Sequence, residues 1–584
     1  MPAVLAVVVV AFSLENPPRA APQGLPADIL FEGSLASSTV HAILQDAPDR
    51  RTGHVGDERA ANRVGTMLRG FGFQVTHDRW NDGGTALDNV VARRAGLSES
   101  ELVVLATRDA LSVPDATGSA ADTAALVEIG RALSARDIHH TMVFASVDGG
   151  SRGDVGARRF AAREQAEGHR IDALVVISNS GAARSRGPLV IDWATDARRG
   201  GLGLHRTAVN SLRAEVGNSG GGGPAGLAQI ARLGFPVGIG AQGALLAEGL
   251  PAVRVSGSGE LAPPPDRRRV SDFDSNRFGA MGRSVLRIVS ALDAVPRQPP
   301  RGSRTYLTAG KQVLPGWAIA LLAATLILPA FVASVDALAR VRRRGHPVLR
   351  WFAWVAAGVV PFLTGLGIGK LLVVVGAARD APAPLDPSAA PVNGRAAADI
   401  AGVVVAILLA WVLLRSPLLR RARPLASPAA PGAGVATALA MVAVTIGLCL
   451  VNPYAGLLVA VPLNLWMLAT LSEMPPPRRA VLVALGLIPA ALVVAVYMRE
   501  LELGFLDAAW YLFLLVTGGT AGWVPTLLGC AVLGILASTI AIVVAHARGG
   551  STEVLDAPPR KSVGSPSVTP RPGGRSVRRE RLTT

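Results

Sequence analysis

Residues 316–335 read Gly-Trp-Ala-Ile-Ala-Leu-Leu-Ala-Ala-Thr-Leu-Ile-Leu-Pro-Ala-Phe-Val-Ala-Ser-Val, a run with no charged side chain. An α-helix of that length rises about 30 Å, the thickness of a bilayer's hydrocarbon core, so the run reads as a membrane span. Apolar segments of the same kind recur at 351–376, 397–414, 433–451, 455–471 and 480–497, and a last, 39-residue stretch runs from 508 to 546.

The loops between these spans sort by charge. Arg340, Arg342, Arg343, Arg344 and Arg350 follow the first span, and Arg415, Arg420, Arg421 and Arg423 the third. Arg478 and Arg479 follow the fifth, whereas the intervening loops carry only Arg379, Arg395 and Arg499, with six acidic residues. Eleven basic residues against three put the odd loops in the cytoplasm by the positive-inside rule, and the chain before residue 315 outside. Residues 547–584, with eight basic and three acidic residues, read as a basic, disordered cytoplasmic tail. A cytoplasmic tail needs an odd number of crossings. The last stretch is therefore read as one crossing, 524–546, preceded by a half-span or interfacial helix at 508–523; seven crossings result, with eight as the alternative.

Composition agrees with a membrane protein: half the residues are hydrophobic, 17% are charged and the mean hydropathy is +0.38. The net charge of +16 lies in short clusters between spans and in the tail, with no basic stripe carrying interleaved aromatics, which excludes nucleic acid as a partner. Cys449 and Cys530 both fall inside apolar spans, so the water-exposed parts hold neither a disulfide nor a thiolate zinc site.

Ahead of the spans, residues 1–30 combine an apolar run, Ala3 to Leu14, with a Pro/Ala-rich linker. The run suits a signal-peptide core or an anchor, though no basic residue precedes it, so a start placed too far downstream is the other reading. From 31 to 296 short β-rich runs alternate with helical periodicity. Strands are expected at Asn89–Ala92, Leu102–Ala106, Thr141–Val147, Leu174–Ser178 and Ala252–Val255. Helices are expected where Ala60, Val64, Met67, Leu68 and Phe71, and again Leu126, Ile129 and Leu133, share a face. Such alternation predicts an α/β doubly wound, mostly parallel sheet. Gly217 to Gly223 reads as a flexible loop without the Lys-Ser/Thr of a phosphate loop, and 297–314 as a linker to the all-α transmembrane bundle, 315–546.

Several stretches of this domain carry a resemblance in their order. Arg51–Thr52–Gly53 with Gly56–Asp57–Glu58–Arg59–Ala60–Ala61, then Gly70–Phe71–Gly72–Phe73–Gln74–Val75, then Asn89–Val90–Val91–Ala92 resemble the zinc aminopeptidase family of aminopeptidase S, glutamate carboxypeptidase and transferrin receptor. Leu102 to Asp109, Ala124 to Leu133, Val143 to Gly156 and Gly249 to Val253 continue the series. The resemblance implies a sheet holding two zinc ions at its strand ends, where open α/β sheets place ligands.

The ligands the resemblance implies are not carried over. They would fall at about Thr107, Gly118, Gly150, Ser178 and Ala262, none of which offers a carboxylate or imidazole. A two-metal hydrolase needs such ligands and a base for the bridging water, so the reading is of a pseudo-peptidase with no catalytic residue, no metal and no cofactor. Arg108, Asp109, Asp148 and Ser151 would lie near the strand ends as pocket residues, with Arg108–Asp109 as a structural ion pair and Asp148 capping a turn. His139 and His140 lack an acidic partner at ligand spacing and read as surface residues. Ser151 lies in Gly150–Ser151–Arg152–Gly153, not a nucleophile elbow. In the spans, Lys370 is the intramembrane candidate, weighed against snorkelling to the nearer interface.

The expectation is a multi-pass cell-membrane protein in contact with the lipid bilayer. Its extracytoplasmic peptidase-like domain would bind a peptide, glycan or protein ligand without hydrolysing it. The alternatives are a membrane-bound metallo-aminopeptidase with a relocated or single zinc, and a transport or envelope-biogenesis protein whose outer domain acts as a lid.

Overall fold

A computed structural model describes residues 2–22, 31–183, 189–217, 226–295, 304–310, 312–381, 383–415, 427–471 and 473–548. Most of the Gly217–Gly223 loop and all but the first two residues of the 547–584 tail lie outside them.

The first elements are the helices α1 (Pro2–Phe12), α2 (Gly33–Asp46) and α3 (Val55–Gly70). The strands β1 (Gln74–Asp82), β2 (Thr85–Arg94) and β3 (Ser98–Thr107) come next, then α4 (Ala121–Ser134) and β4 (His140–Val147). The domain continues with α5 (Val155–Ala166), β5 (Ile171–Ser178), β6 (Val190–Ile191), α6 (Leu202–Val216), α7 (Gly226–Gly234), α8 (Ala241–Ala247), β7 (Ala252–Ser256) and α9 (Ser275–Asp293).

The sheet order is β1-β2-β4-β3-β5-β7-β6. Its centre, β4-β3-β5-β7, is parallel and both flanks are antiparallel. Each strand expected from sequence lies inside an observed one. The centre reads as apolar runs because both faces are covered: Leu102, Val104 and Ala106 of β3 pack with α2, α3, α4, α6 and α9, and Val103 and Leu105 with α5 and α8. Strand β1 escapes a periodicity reading because it is a polar edge strand, Gln-Val-Thr-His-Asp-Arg-Trp-Asn-Asp, with one buried residue. Its hairpin with β2 turns on Gly83 and Gly84, whose φ values of +56° and +85° suit a two-residue turn that side chains disfavour.

Part of the segment read as a linker is ordered: β8 (Tyr306–Ala309) and β9 (Gln312–Pro315) form a hairpin, and Glu15 bridges to Val313. It is pinned where the Tyr306 hydroxyl donates to Asp192 at 3.0 Å and Arg199 lies between the rings of Trp193 and Tyr306.

The rest is helical: α10 (Gly316–Arg343), α11 (Leu349–Val374), α12 (Gly394–Leu413), α13 (Pro431–Val451), α14 (Pro453–Leu471), α15 (Pro476–Leu485), α16 (Ile488–Glu500), α17 (Phe505–Thr517) and α18 (Trp523–Ala547). Among the described residues, counting α15 and α16 as one bent unit, seven are long and apolar enough to cross a membrane, and α17 is a shorter apolar helix. The bend has a local cause. The Trp466 indole donates to the Val483 carbonyl at 3.2 Å and packs over Gly486, where a side chain would collide with it, and Pro489 starts the second half.

The two regions are docked. Asn452 donates to the Leu233 carbonyl at 2.7 Å, and the Tyr497 hydroxyl donates to the carbonyl of Phe235. Arg232 of α7, 2% exposed, is ion-paired to both Glu260 and Glu500.

Candidate functional site

A cavity of about 130 Å³ opens at the carboxyl ends of the parallel strands. Thr107, Gly150, Ser178 and Ala262, four of the five positions named from the resemblance, line it. The fifth, Gly118, is behind the wall: a Cβ there would stand 2.5 Å from Asp115 Oδ1, and Asp115 lines the cavity in its place.

The loops after the strands are held by carboxylates. Asp109 Oδ1 accepts the Gly150 N–H at 2.8 Å, and its Oδ2 accepts the Ser151 N–H at 2.9 Å and the Thr52 hydroxyl at 2.8 Å. Asp122 accepts the N–H groups of Asn179 and Ser180, each at 2.8 Å, and the Ser180 hydroxyl at 2.7 Å. Burial pushes the Asp122 carboxyl up to about 7, against those donors. Asp154, also in the wall and 8% exposed, is likewise pushed to about 7 by burial.

Of the pocket residues expected from sequence, Asp109 and Ser151 line the cavity, while Arg108 and Asp148 lie beneath it, fully buried. Arg108 is not paired with Asp109. Its Nε and Nη2 meet Asp57 at 3.0 and 2.7 Å, Nη2 also donates to the Asp88 carbonyl, and Asp148 is 3.8 Å away. The sequence neighbours point apart because successive side chains leave the strand end in different directions. Asp148 does accept the Gly149 N–H of its turn, at 2.6 Å, and its carboxyl is raised to about 8 by burial and by Asp57. The Ser151 hydroxyl sits 2.9 Å from that of Thr52 and has no histidine partner among the described residues.

His140 departs from the surface reading. It is fully buried at the start of β4, with Asp293 3.3 Å from Nδ1, a partner 153 residues away that sequence spacing cannot reveal. In the helical region Lys370 is exposed and near Gly519, and Asn464 donates to the Leu326 and Ala460 carbonyls.

The cavity's roof comes from the loop between α11 and α12, a contribution the sequence did not reveal. Pro384, Leu385, Asp386 and Ala389 close it from above. Asp386 Oδ2 accepts the Ala262 N–H at 2.8 Å. From the other side α17 holds the loop: Tyr511 donates to the Leu385 carbonyl at 2.9 Å and Trp510 to that of Ala390 at 3.1 Å.

No family model and no curated protein matches the chain. Among solved structures it is similar to a glutaminyl cyclase of Porphyromonas gingivalis, at 16% identity over 45% of this chain and 99% of that one, with a TM-score of 0.37. A leucine aminopeptidase precursor of Bacteroides thetaiotaomicron matches at 14%, over 46% and 99%, with a TM-score of 0.36. A zinc aminopeptidase of Bacillus subtilis matches at 10%, over 45% and 95%, with a TM-score of 0.38. Zinc aminopeptidases are the class the sequence resembles, and glutaminyl cyclases are one that reading did not name.

Proposed function

We propose that this is a multi-pass membrane protein whose extracytoplasmic α/β domain has the scaffold of a zinc peptidase and serves as a non-catalytic binding module. One observation carries the reading. Thr107 and Gly150 stand at two of the implied ligand positions, and the Thr107 methyl fills the space that a side chain on residue 150 would need. The positions have been repacked together rather than left open.

Zinc does not fit the residues around the cavity. Both oxygens of Asp109 are engaged by donors from neighbouring segments, Thr52, Gly150 and Ser151, and both of Asp122 by Asn179 and Ser180, while the other lining aspartates, Asp115, Asp154 and Asp386, form no group of three ligand atoms within ligating range among the described residues. Among the described residues, the group of three ligand-type atoms within ligating range of one another is Glu101, Glu164 and His169, at the opposite end of β3. Arg93 already fills the cation's place there, with Nε 2.8 Å from Glu101 and Nη2 2.7 Å from Glu164.

The deciding test is metal analysis of the purified full chain in detergent, with aminopeptidase substrates. The reading expects substoichiometric zinc and no chelator-sensitive turnover; one zinc per chain with turnover that a chelator abolishes would overturn it.

A further inference from the structure

Arg415 stands just past the end of α12, about 30 Å along that helix from the roof of the cavity. It therefore lies at the end of the helical region away from the α/β domain. Its guanidinium sits over two indoles, 4.3 Å from the centroid of Trp411 and 5.6 Å from that of Trp354 on α11. Ring faces attract the cation but offer no oxygen to its N–H groups. Nε and Nη2 are buried without a hydrogen-bond partner, and no carboxylate pairs with the charge, among the described residues. The side chain as a whole is half-buried, so the guanidinium is open on one side. Buried donors of this kind are almost always satisfied, by protein, by water or by a ligand.

The surroundings point to the ligand. Val412, Leu408 and Val404 follow Arg415 back along one face of α12 at helical spacing, and all three are exposed. The helix packs along α11 and, near its start, on α17, which leaves the Arg415 end with a free flank. On α11 Arg350 is exposed one turn before Trp354, and Arg342, Arg343 and Arg344 are exposed at the end of α10. The acidic side chains at this end, among the described residues, are Asp336, which Arg340 pairs at 3.1 Å, and Glu473. An unpaired cation thus caps an apolar stripe, inside a field that is positive overall.

We propose that the cleft where the start of α11 meets the end of α12 binds an anionic phospholipid. Its phosphodiester accepts from Arg415, and one acyl chain lies along Val412, Leu408 and Val404. A guanidinium suits this partner because two of its N–H groups can meet two phosphate oxygens at once. Trp411 and Trp354 hold the guanidinium at the helix end, the level at which lipid headgroups lie. A choline headgroup would bring its own cation into a field already positive, whereas an anionic headgroup is drawn by Arg350 and the α10 arginines as well.

The inference rests on the membrane reading of the helices alone, so its failure leaves the zinc test standing. Its own test is native mass spectrometry of the full chain released from detergent micelles, titrated with phosphatidylglycerol or with phosphatidylcholine of the same acyl chains. The expected result is one phosphatidylglycerol retained per chain, bound about tenfold more tightly than phosphatidylcholine. Arg415→Gln is expected to weaken phosphatidylglycerol about tenfold, the worth of one charge-assisted hydrogen bond, with the melting midpoint of the lipid-free protein unchanged. Arg415→Lys, the milder change, keeps the charge but loses the two-pronged grip, and is expected to fall between the two. Arg343→Gln removes a charge at the same end that lies over neither indole, and is expected to change binding by less than about twofold. Inorganic phosphate in excess should not displace the lipid, because it lacks the acyl chain. Equal retention of the two lipids, or equal effects of Arg415→Gln and Arg343→Gln, would overturn the proposal and leave Arg415 an interfacial anchor. Displacement by inorganic phosphate would overturn it in favour of a soluble anion.

Discussion

The Thr107 methyl occupies the place where a side chain on residue 150 would begin, and Gly150 in turn donates its N–H to Asp109. The two positions are coupled by volume, so neither reverts alone without strain. Gly150→Glu is expected to destabilise the domain by about 1–3 kcal/mol, the usual cost of overpacking, without recruiting zinc. The melting midpoint in detergent and the metal content check both parts, and a stable, zinc-loaded Gly150→Glu protein would contradict the packing argument.

Asp154 gives a pH dependence. Its carboxyl titrates near 7 in the fold because burial disfavours the charge, whereas an unfolded Asp titrates near 3.8. The folded state therefore holds the proton more tightly, and stability is full below about pH 4, then falls as the pH rises towards 7. Asp154→Asn removes that loss and breaks no hydrogen bond among the described residues. Its unfolding free energy is expected to exceed that of the parent at pH 8, by on the order of 1–3 kcal/mol, with a correspondingly higher melting midpoint, and to match it near pH 4.

Arg232 joins the two regions through Glu260 and Glu500 and lies over the Tyr497 ring, 5.0 Å from its centroid. Arg232→Met leaves two carboxylates at the junction without their shared cation, a loss of about 3–5 kcal/mol for a buried network. Protease protection of the junction should fall before the helical region itself unfolds. Unchanged protection would show that the apolar contacts of Val237, Ile239 and Leu515 hold the regions together without it.

Removing the Asp386 carboxylate should loosen the roof. Asp386→Ala deletes the acceptor of the Ala262 N–H, a charge-assisted bond worth roughly 1.5–3 kcal/mol. Hydrogen exchange at Ala262 is expected to accelerate tenfold or more, with exchange in β3 and β4 unchanged.

Lys370 is exposed on α11, with no ion pair among the described residues. Lys370→Gln is accordingly expected to change stability, read from the melting midpoint, by no more than the roughly 0.5 kcal/mol typical of exposed sites. A larger loss would point to a role for this charge inside the helical region.

By itself the sequence determined the elements whose patterns are local. Apolar runs such as 316–335 mark the long helices, and doubly covered strands such as Leu102–Ala106 mark the sheet centre. Burial on every face leaves no room for polar residues, and that exclusion is visible one residue at a time. Thr107, Gly150, Ser178 and Ala262 were placed by what the family resemblance implies, and the fold brings these four to one cavity. The tertiary structure alone decided what surrounds them. Arg108 turns to Asp57 rather than to its neighbour Asp109, His140 finds Asp293, and a loop 124 residues beyond Ala262 closes the cavity over it. Hydrogen bonds and ion pairs between distant segments leave no periodicity in either segment, so only the folded chain brings such partners into view.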